Sequence, residues 1–121
     1  MKRRYILLTV CAVISACARG PIYEPHIENG DARNGQRVLQ QYECGVCHSI
    51  PGVRSARGQV GPSLAAYRRN VYVAGKYPNT PEYLIAWIMD APALAPHTAM
   101  PAMGVTAGEA RDIAAYLYTL K

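Results

Sequence analysis

Two cysteines three residues apart with a histidine directly behind the second, Cys44-Gly45-Val46-Cys47-His48, constrain this chain more than any other feature. At the end of a helix, positions i and i+3 lie on one face, so both thiols point the same way. They can then bond the two vinyl groups on one edge of a haem as thioethers, while His48 turns its imidazole toward the iron. C-x-x-C-H is the sequence mark of covalent haem attachment. With three His in 121 residues, chance puts a His after a given C-x-x-C roughly two or three times in a hundred. A redox C-x-x-C would follow a strand in a βαβ setting, and here a helical stripe precedes it. A zinc site would need two more ligands, and no Cys follows position 47.

A covalent haem also bears on how so short a chain folds. Residues 31–121 number 91, and a domain of that size buries a modest core unless something is added to it. The local signals are helical. Asp31 is an N-cap for a helix over about 32–43, with Val38, Leu39 and Tyr42 as its apolar stripe. Thr80 followed by Pro81 opens a helix through about Asp90. Thr106-Ala107-Gly108-Glu109 spells a capping box ahead of a last helix to Leu120, apolar along Ile113, Tyr116, Leu117 and Leu120. Residues 62–69 predict a further short helix and 49–61 an irregular surface loop. Pro92, Pro96 and Pro101 exclude a long helix over 91–105. No segment alternates with period two, so the expected fold class is all-α.

The N-terminal segment reads as an address. Lys2, Arg3 and Arg4 precede a short apolar run, Tyr5 to Ile14, and small residues follow, which is the layout of a secretory signal. The run is too short to span a bilayer, which takes roughly 20 residues as a helix. Ile14-Ser15-Ala16-Cys17 resembles the lipobox of bacterial lipoproteins, in which the signal is cut ahead of a Cys that carries lipid. The alternative is an ordinary cut after Ala18, giving a soluble periplasmic protein. Residues 1–16 are therefore expected to be the signal peptide, 17–30 a lipid anchor and flexible linker, and 31–121 the folded domain. Ala18 at the second mature position resembles lipoproteins sorted to the outer membrane.

Placement of the charges and cysteines undoes two readings that their totals invite. The chain carries thirteen Lys and Arg against eight Asp and Glu, a net +5; removing residues 1–16 leaves ten against eight, a net +2. No cationic cluster longer than Arg68-Arg69 remains, and nucleic acid is not an expected partner. Charged residues at 17% lie below the roughly 25% of ordinary globular chains, which argues against a highly charged disordered protein. Of the four Cys, Cys11 leaves with the signal, Cys17 takes lipid, and Cys44 and Cys47 take haem. No disulfide is expected.

Cys44 to His48, Gly61-Pro62, Met100-Pro101 and the final amphipathic helix together resemble the class I c-type cytochromes, the small monohaem bacterial cytochromes c. The resemblance covers residues 31–121. Arg69 to Gly75 and Thr98 to Val105 are similar to stretches of bacterial respiratory members. It implies about four helices packed around one haem c, with His48 and a C-terminal Met as axial iron ligands. Met100 is the expected ligand; the residues alone leave Met103 nearly equal, and the family pattern favours Met100, with Met103 as haem-pocket packing. A thioether is a soft ligand that favours ferrous iron. His97, three residues from Met100, reads as a solvated surface residue, as does His26, and Met89 as core. By the same resemblance the Pro62 carbonyl accepts a hydrogen bond from the proximal His48, and Gly35 and Tyr116 mark the crossing of the first and last helices. Arg69, Tyr72 and Trp87 meet the haem propionates, with a surface charge for Arg69 and core packing for Trp87 as equal alternatives.

Two protein ligands on the iron leave no open position for a substrate. The expected function is therefore outer-sphere one-electron transfer in a bacterial respiratory chain, not enzyme catalysis, and no small-molecule substrate is expected. Expected partners are other redox proteins: a membrane dehydrogenase, a quinol-oxidising complex or a terminal oxidase. A fixed cytochrome subunit of such a complex is one alternative; a peroxidase or sensor with a displaceable Met is another.

Overall fold

The computed structural model describes residues 25–121. The expected signal peptide and Cys17 lie outside the described residues. Four α-helices and a two-stranded hairpin make up the domain: α1 (Ala32–Gln41), β1 (Tyr72–Val73), β2 (Tyr77–Pro78), α2 (Pro81–Met89), α3 (Ala91–Leu94) and α4 (Ala107–Leu117). Among the described residues no helix is long and apolar enough to cross a membrane.

Local chemistry starts and stops these helices. The Asp31 carboxylate accepts from the Arg33 and Asn34 N–H groups at 2.8 and 3.2 Å, satisfying two donors that α1 cannot pair internally. Glu43, at φ +54, takes the left-handed conformation that ends α1 and lets one 3₁₀ turn, Cys44–Val46, begin. Pro81 opens α2 where its missing N–H costs nothing. Asp90 closes α2 and caps α3, its side chain accepting from the Ala93 N–H at 3.1 Å. Pro92 is tolerated because it falls in the first turn of α3. The capping box at α4 is complete: Thr106 Oγ1 accepts from the Glu109 N–H at 3.3 Å, and Glu109 Oε2 from the Thr106 N–H at 3.0 Å.

The first and last helices form the main packing. Gly35 is buried against α4, where a Cβ would run into the Asp112 carbonyl, so only glycine permits this approach. Val38 and Leu39 from α1 meet Ala110, Ile113, Ala114 and Leu117 from α4, and Leu84 and Ile88 of α2 complete the core. Full burial of a Leu or Ile side chain contributes roughly 1.5–3 kcal/mol. At the edge of the crossing, Asn34 Nδ2 donates to Asp112 Oδ2 at 2.6 Å and Asp31 N–H to Asp112 Oδ1 at 2.8 Å. Tyr116, half-buried, donates its hydroxyl to the Pro51 carbonyl at 2.6 Å and so ties the 49–58 loop to α4.

Five features differ from the sequence expectations, each through longer-range contacts. The fold is helical with a small sheet rather than wholly α: Tyr72 pairs with Pro78 and Val73 with Tyr77. Strands of two residues are too short to show a period, and the turn is made by Ala74 and Gly75, both at positive φ. The 49–61 loop buries Ile50, Val53 and Ala56 rather than lying wholly on the surface. Residues 62–69 form only a 3₁₀ turn, Tyr67–Arg69, because Ala66 at φ +55 breaks the helical path and the Leu64 N–H is drawn to the Ser49 carbonyl at 2.9 Å. The last helix stops at Leu117, with Tyr118 as its C-cap. Finally, the packed core reaches back into the expected linker: Ile27 is 5% exposed.

Candidate functional site

The chemistry-bearing turn is built by backbone hydrogen bonds. His48 N–H donates to the Cys44 carbonyl at 3.0 Å, wrapping the C-x-x-C-H residues into one compact turn at the end of α1. The chain then folds back over it. Gly58 N–H lies 3.0 Å from the Gly45 carbonyl and 3.2 Å from that of His48, and Gly61 N–H donates to the Cys47 carbonyl at 2.8 Å. Both thiols are free and half-buried. Burial pushes the Cys44 thiol up, which favours its neutral form.

His48 is fixed from one side. Its Nδ1–H donates to the Pro62 carbonyl at 2.8 Å. A carbonyl can only accept, so the proton sits on Nδ1 and the lone pair is left on Nε2. A Cβ at position 61 would lie 2.7 Å from His48 Nδ1 and 2.9 Å from Nε2, so Gly61 lets the backbone rest directly against the ring.

The structure brings Cys44, Cys47, His48 and Pro62 together, and the remaining candidates lie on other elements. Met100 is half-buried in the 95–105 segment between α3 and α4, where its N–H donates to the Thr98 hydroxyl at 3.2 Å. Met103, in the same segment, is 37% exposed, and His97 and His26 are exposed. Met89 packs on the core, as does half-buried Trp87 on α2. Arg69, on the Tyr67–Arg69 turn, and Tyr72, in β1, are exposed. Among the described residues no three His, Cys, Asp or Glu side chains converge as a metal cage. A shallow groove beside Ile27, Arg68 and Tyr118 contains none of the candidates.

A family model described as cytochrome c oxidase, cbb3-type, subunit III matches residues 30–117. The chain belongs to this family. It is also similar to cytochrome c oxidase subunit 2 of Alkalihalophilus pseudofirmus, with 32% identity over 91 residues, 74% of this chain and 26% of that protein. The chain thus spans about a quarter of the length of this relative. The helical domain is a c-type cytochrome domain, a kind that supports electron transfer. Haem c, the group this family implies, fits the residues present. The site offers two unpaired thiols, an imidazole with Nε2 free, and exposed apolar side chains beside them, Val46 at 68% and Val60 at 78%.

Counting charges over the whole chain hides one feature of this cytochrome. From Cys44 to Pro81 there is no Asp or Glu, while Arg54, Arg57, Arg69 and Lys76 are exposed. From Tyr77 to Ala110 there is no Lys or Arg, and Glu82, Asp90 and Glu109 fall there. The stretch that follows the thiol-bearing turn is cationic, and the stretch that carries Met100 is anionic. A segment-by-segment count would have found this.

Proposed function

We propose that this cytochrome is a one-electron carrier whose single haem is bound covalently by Cys44 and Cys47 and ligated by His48 and Met100, and that it is not an enzyme. The observation that carries this proposal is the 2.8 Å hydrogen bond from His48 Nδ1–H to the Pro62 carbonyl. It orients the imidazole and leaves Nε2 as the donor atom. When bound, the haem supplies the one-electron couple. Pro62 holds the proton of His48 on Nδ1, so Nε2 is the atom that would hold the iron. Pro101 biases Met100 toward extended backbone, and Pro96 and Pro101 limit the freedom of the segment that presents the thioether. If His48 and Met100 both hold the iron, the protein would leave it no open position for a substrate or for oxygen.

The partner chemistry follows from the carboxylate-free stretch. Arg54, Arg57, Arg69 and Lys76 fit a redox protein whose docking face is acidic, met through exposed apolar side chains such as Val46 and Val60. A second reading is a fixed subunit of a terminal oxidase complex, favoured by the oxidase-subunit names of the family and of the relative. Co-purification at fixed stoichiometry would select it over the free carrier. Export and lipid anchoring at Cys17, on the periplasmic side of a membrane, complete the proposal. Cys17→Ser should release the protein from membranes into the soluble fraction, and continued attachment would contradict the anchor.

The optical spectrum of the oxidised holoprotein tests the ligand set. A Met–Fe(III) charge-transfer band at the red edge is expected. A high-spin spectrum would contradict it and favour a peroxidase or sensor.

A further inference from the structure

We propose that the 95–105 segment carrying Met100 is clamped at both ends by hydroxyl and carboxylate side chains from outside it, Tyr77 at its start and Glu109 with Tyr42 at its exit, and that these three are positioning residues for the thioether. This assignment rests on Met100 as the iron ligand.

The segment has little of its own to hold it. Among the described residues, its internal hydrogen bonds are two short-range ones, Thr98 N–H to the Ala95 carbonyl at 2.9 Å and Met100 N–H to the Thr98 hydroxyl at 3.2 Å. Pro96 and Pro101 have no N–H to give, and Pro101 to Gly104 are exposed. Its geometry is therefore set where it begins and ends.

At the start, α3 is four residues long and ends at Leu94 with carbonyls that a helix leaves unpaired. The Tyr77 hydroxyl donates to the Leu94 carbonyl at 2.6 Å. Tyr77 is itself held. Its ring stacks on Tyr83 with centroids 5.2 Å apart, and Lys76 Nζ lies 5.3 Å from its centroid. The hairpin thus acts as a mount for one hydroxyl.

At the exit, Val105 is buried and Thr106 opens α4. Glu109 Oε2 accepts from the Thr106 N–H at 3.0 Å and the Thr106 hydroxyl at 2.8 Å. A capping box needs no more than Thr106 and Glu109. The same oxygen also accepts from the Tyr42 hydroxyl at 3.0 Å. Tyr42 is the C-cap of α1 and lies two residues ahead of Cys44. One carboxylate oxygen therefore joins the end of the methionine segment to the start of the thiol-bearing turn. Helix capping does not explain this third bond.

The test uses the haem-loaded protein and four variants: Tyr77→Phe, Tyr42→Phe, Glu109→Gln and, as control, Asn34→Ala. Asn34→Ala removes a 2.6 Å bond between α1 and α4, away from the segment. Readouts are the Met–Fe(III) band and the affinity of the ferric protein for imidazole, which competes with Met100 for the iron. Tyr77→Phe should raise imidazole affinity about tenfold, the upper range for losing one neutral hydrogen bond. Tyr42→Phe and Glu109→Gln should raise it by less, and Asn34→Ala should leave it unchanged. If the three variants match Asn34→Ala, the clamp is overturned. Met100→Ala separates the two claims. If it abolishes the band while the clamp variants do nothing, only the clamp falls; if it leaves the band intact, the ligand assignment falls and the clamp with it.

Discussion

The α1–α4 crossing and the 95–105 segment represent two ways of holding a functional residue. At the crossing, Gly35 lets two helix backbones touch, Ala110 and Ala114 are fully buried, and Ile113 is 2% exposed. The thiol-bearing turn follows directly from α1, so this packing fixes where Cys44 and Cys47 stand. The methionine segment has no comparable core. Ala99 and Pro101 to Gly104 are exposed, and its anchors are side-chain hydrogen bonds at its ends. In the proposed assignment, the covalent attachment follows a packed helix crossing, and the exchangeable ligand sits on a segment held by side-chain hydrogen bonds. Damage to the crossing should register as lost stability, and damage to the segment as altered ligation.

The largest effect should come from the crossing. Ile113→Ala removes a buried side chain between α1 and α4 and should cost about 2–5 kcal/mol in denaturant unfolding. The Met–Fe(III) band of the folded fraction should be unchanged. If that variant loses the band while still folded, the two regions are not separable in this way.

A middle effect should come from Tyr116→Phe, which removes the bond to the Pro51 carbonyl and should lower stability by about 1 kcal/mol. It acts on the 49–58 loop behind His48, so imidazole affinity should stay near the wild-type value. A large rise in affinity would mean that the histidine side is as yielding as the methionine side.

The smallest effect should appear as a pH dependence. The Thr106 N–H and hydroxyl and the Tyr42 hydroxyl hold the Glu109 carboxyl below its ordinary value of 4.5, against partial burial and then the Asp112 carboxylate. A depressed carboxyl contributes stability that is present above its unfolded value and is lost as the pH falls through the folded one. Thermal midpoints should therefore decline below about pH 4.5, less in Glu109→Gln than in the wild type. Glu109 is only partly buried, so the difference should be small and should shrink in salt. Equal declines in both proteins would remove Glu109 from the account.

What the sequence disclosed follows the same division. Asp31, Thr80-Pro81, the Thr106–Glu109 box and Cys44 to His48 act within a few residues of themselves, and each is legible because its partners are neighbours in the chain. Ile27, Ile50, Val53 and Ala56 are apolar letters in polar, glycine- and proline-rich surroundings, and only the opposing helices turn them inward. The hairpin is two residues per strand, below the length at which alternation shows. The Tyr42–Glu109 contact joins positions 67 apart, and Tyr77–Leu94 joins two elements that no motif links. The charge division between Cys44–Pro81 and Tyr77–Ala110 was legible and is lost only when charges are totalled over the chain.

The central claim is that His48 and Met100 together ligate one haem in an electron carrier. Reduction potentials of the wild type, Met100→Ala and Met103→Ala, measured on the haem-loaded protein, test it most directly. Met100→Ala should lower the potential, because the ferrous state loses its thioether, and should admit added ligands to the iron. Met103→Ala should leave both properties unchanged. The reverse pattern, with Met103→Ala lowering the potential and Met100→Ala silent, would contradict the assignment.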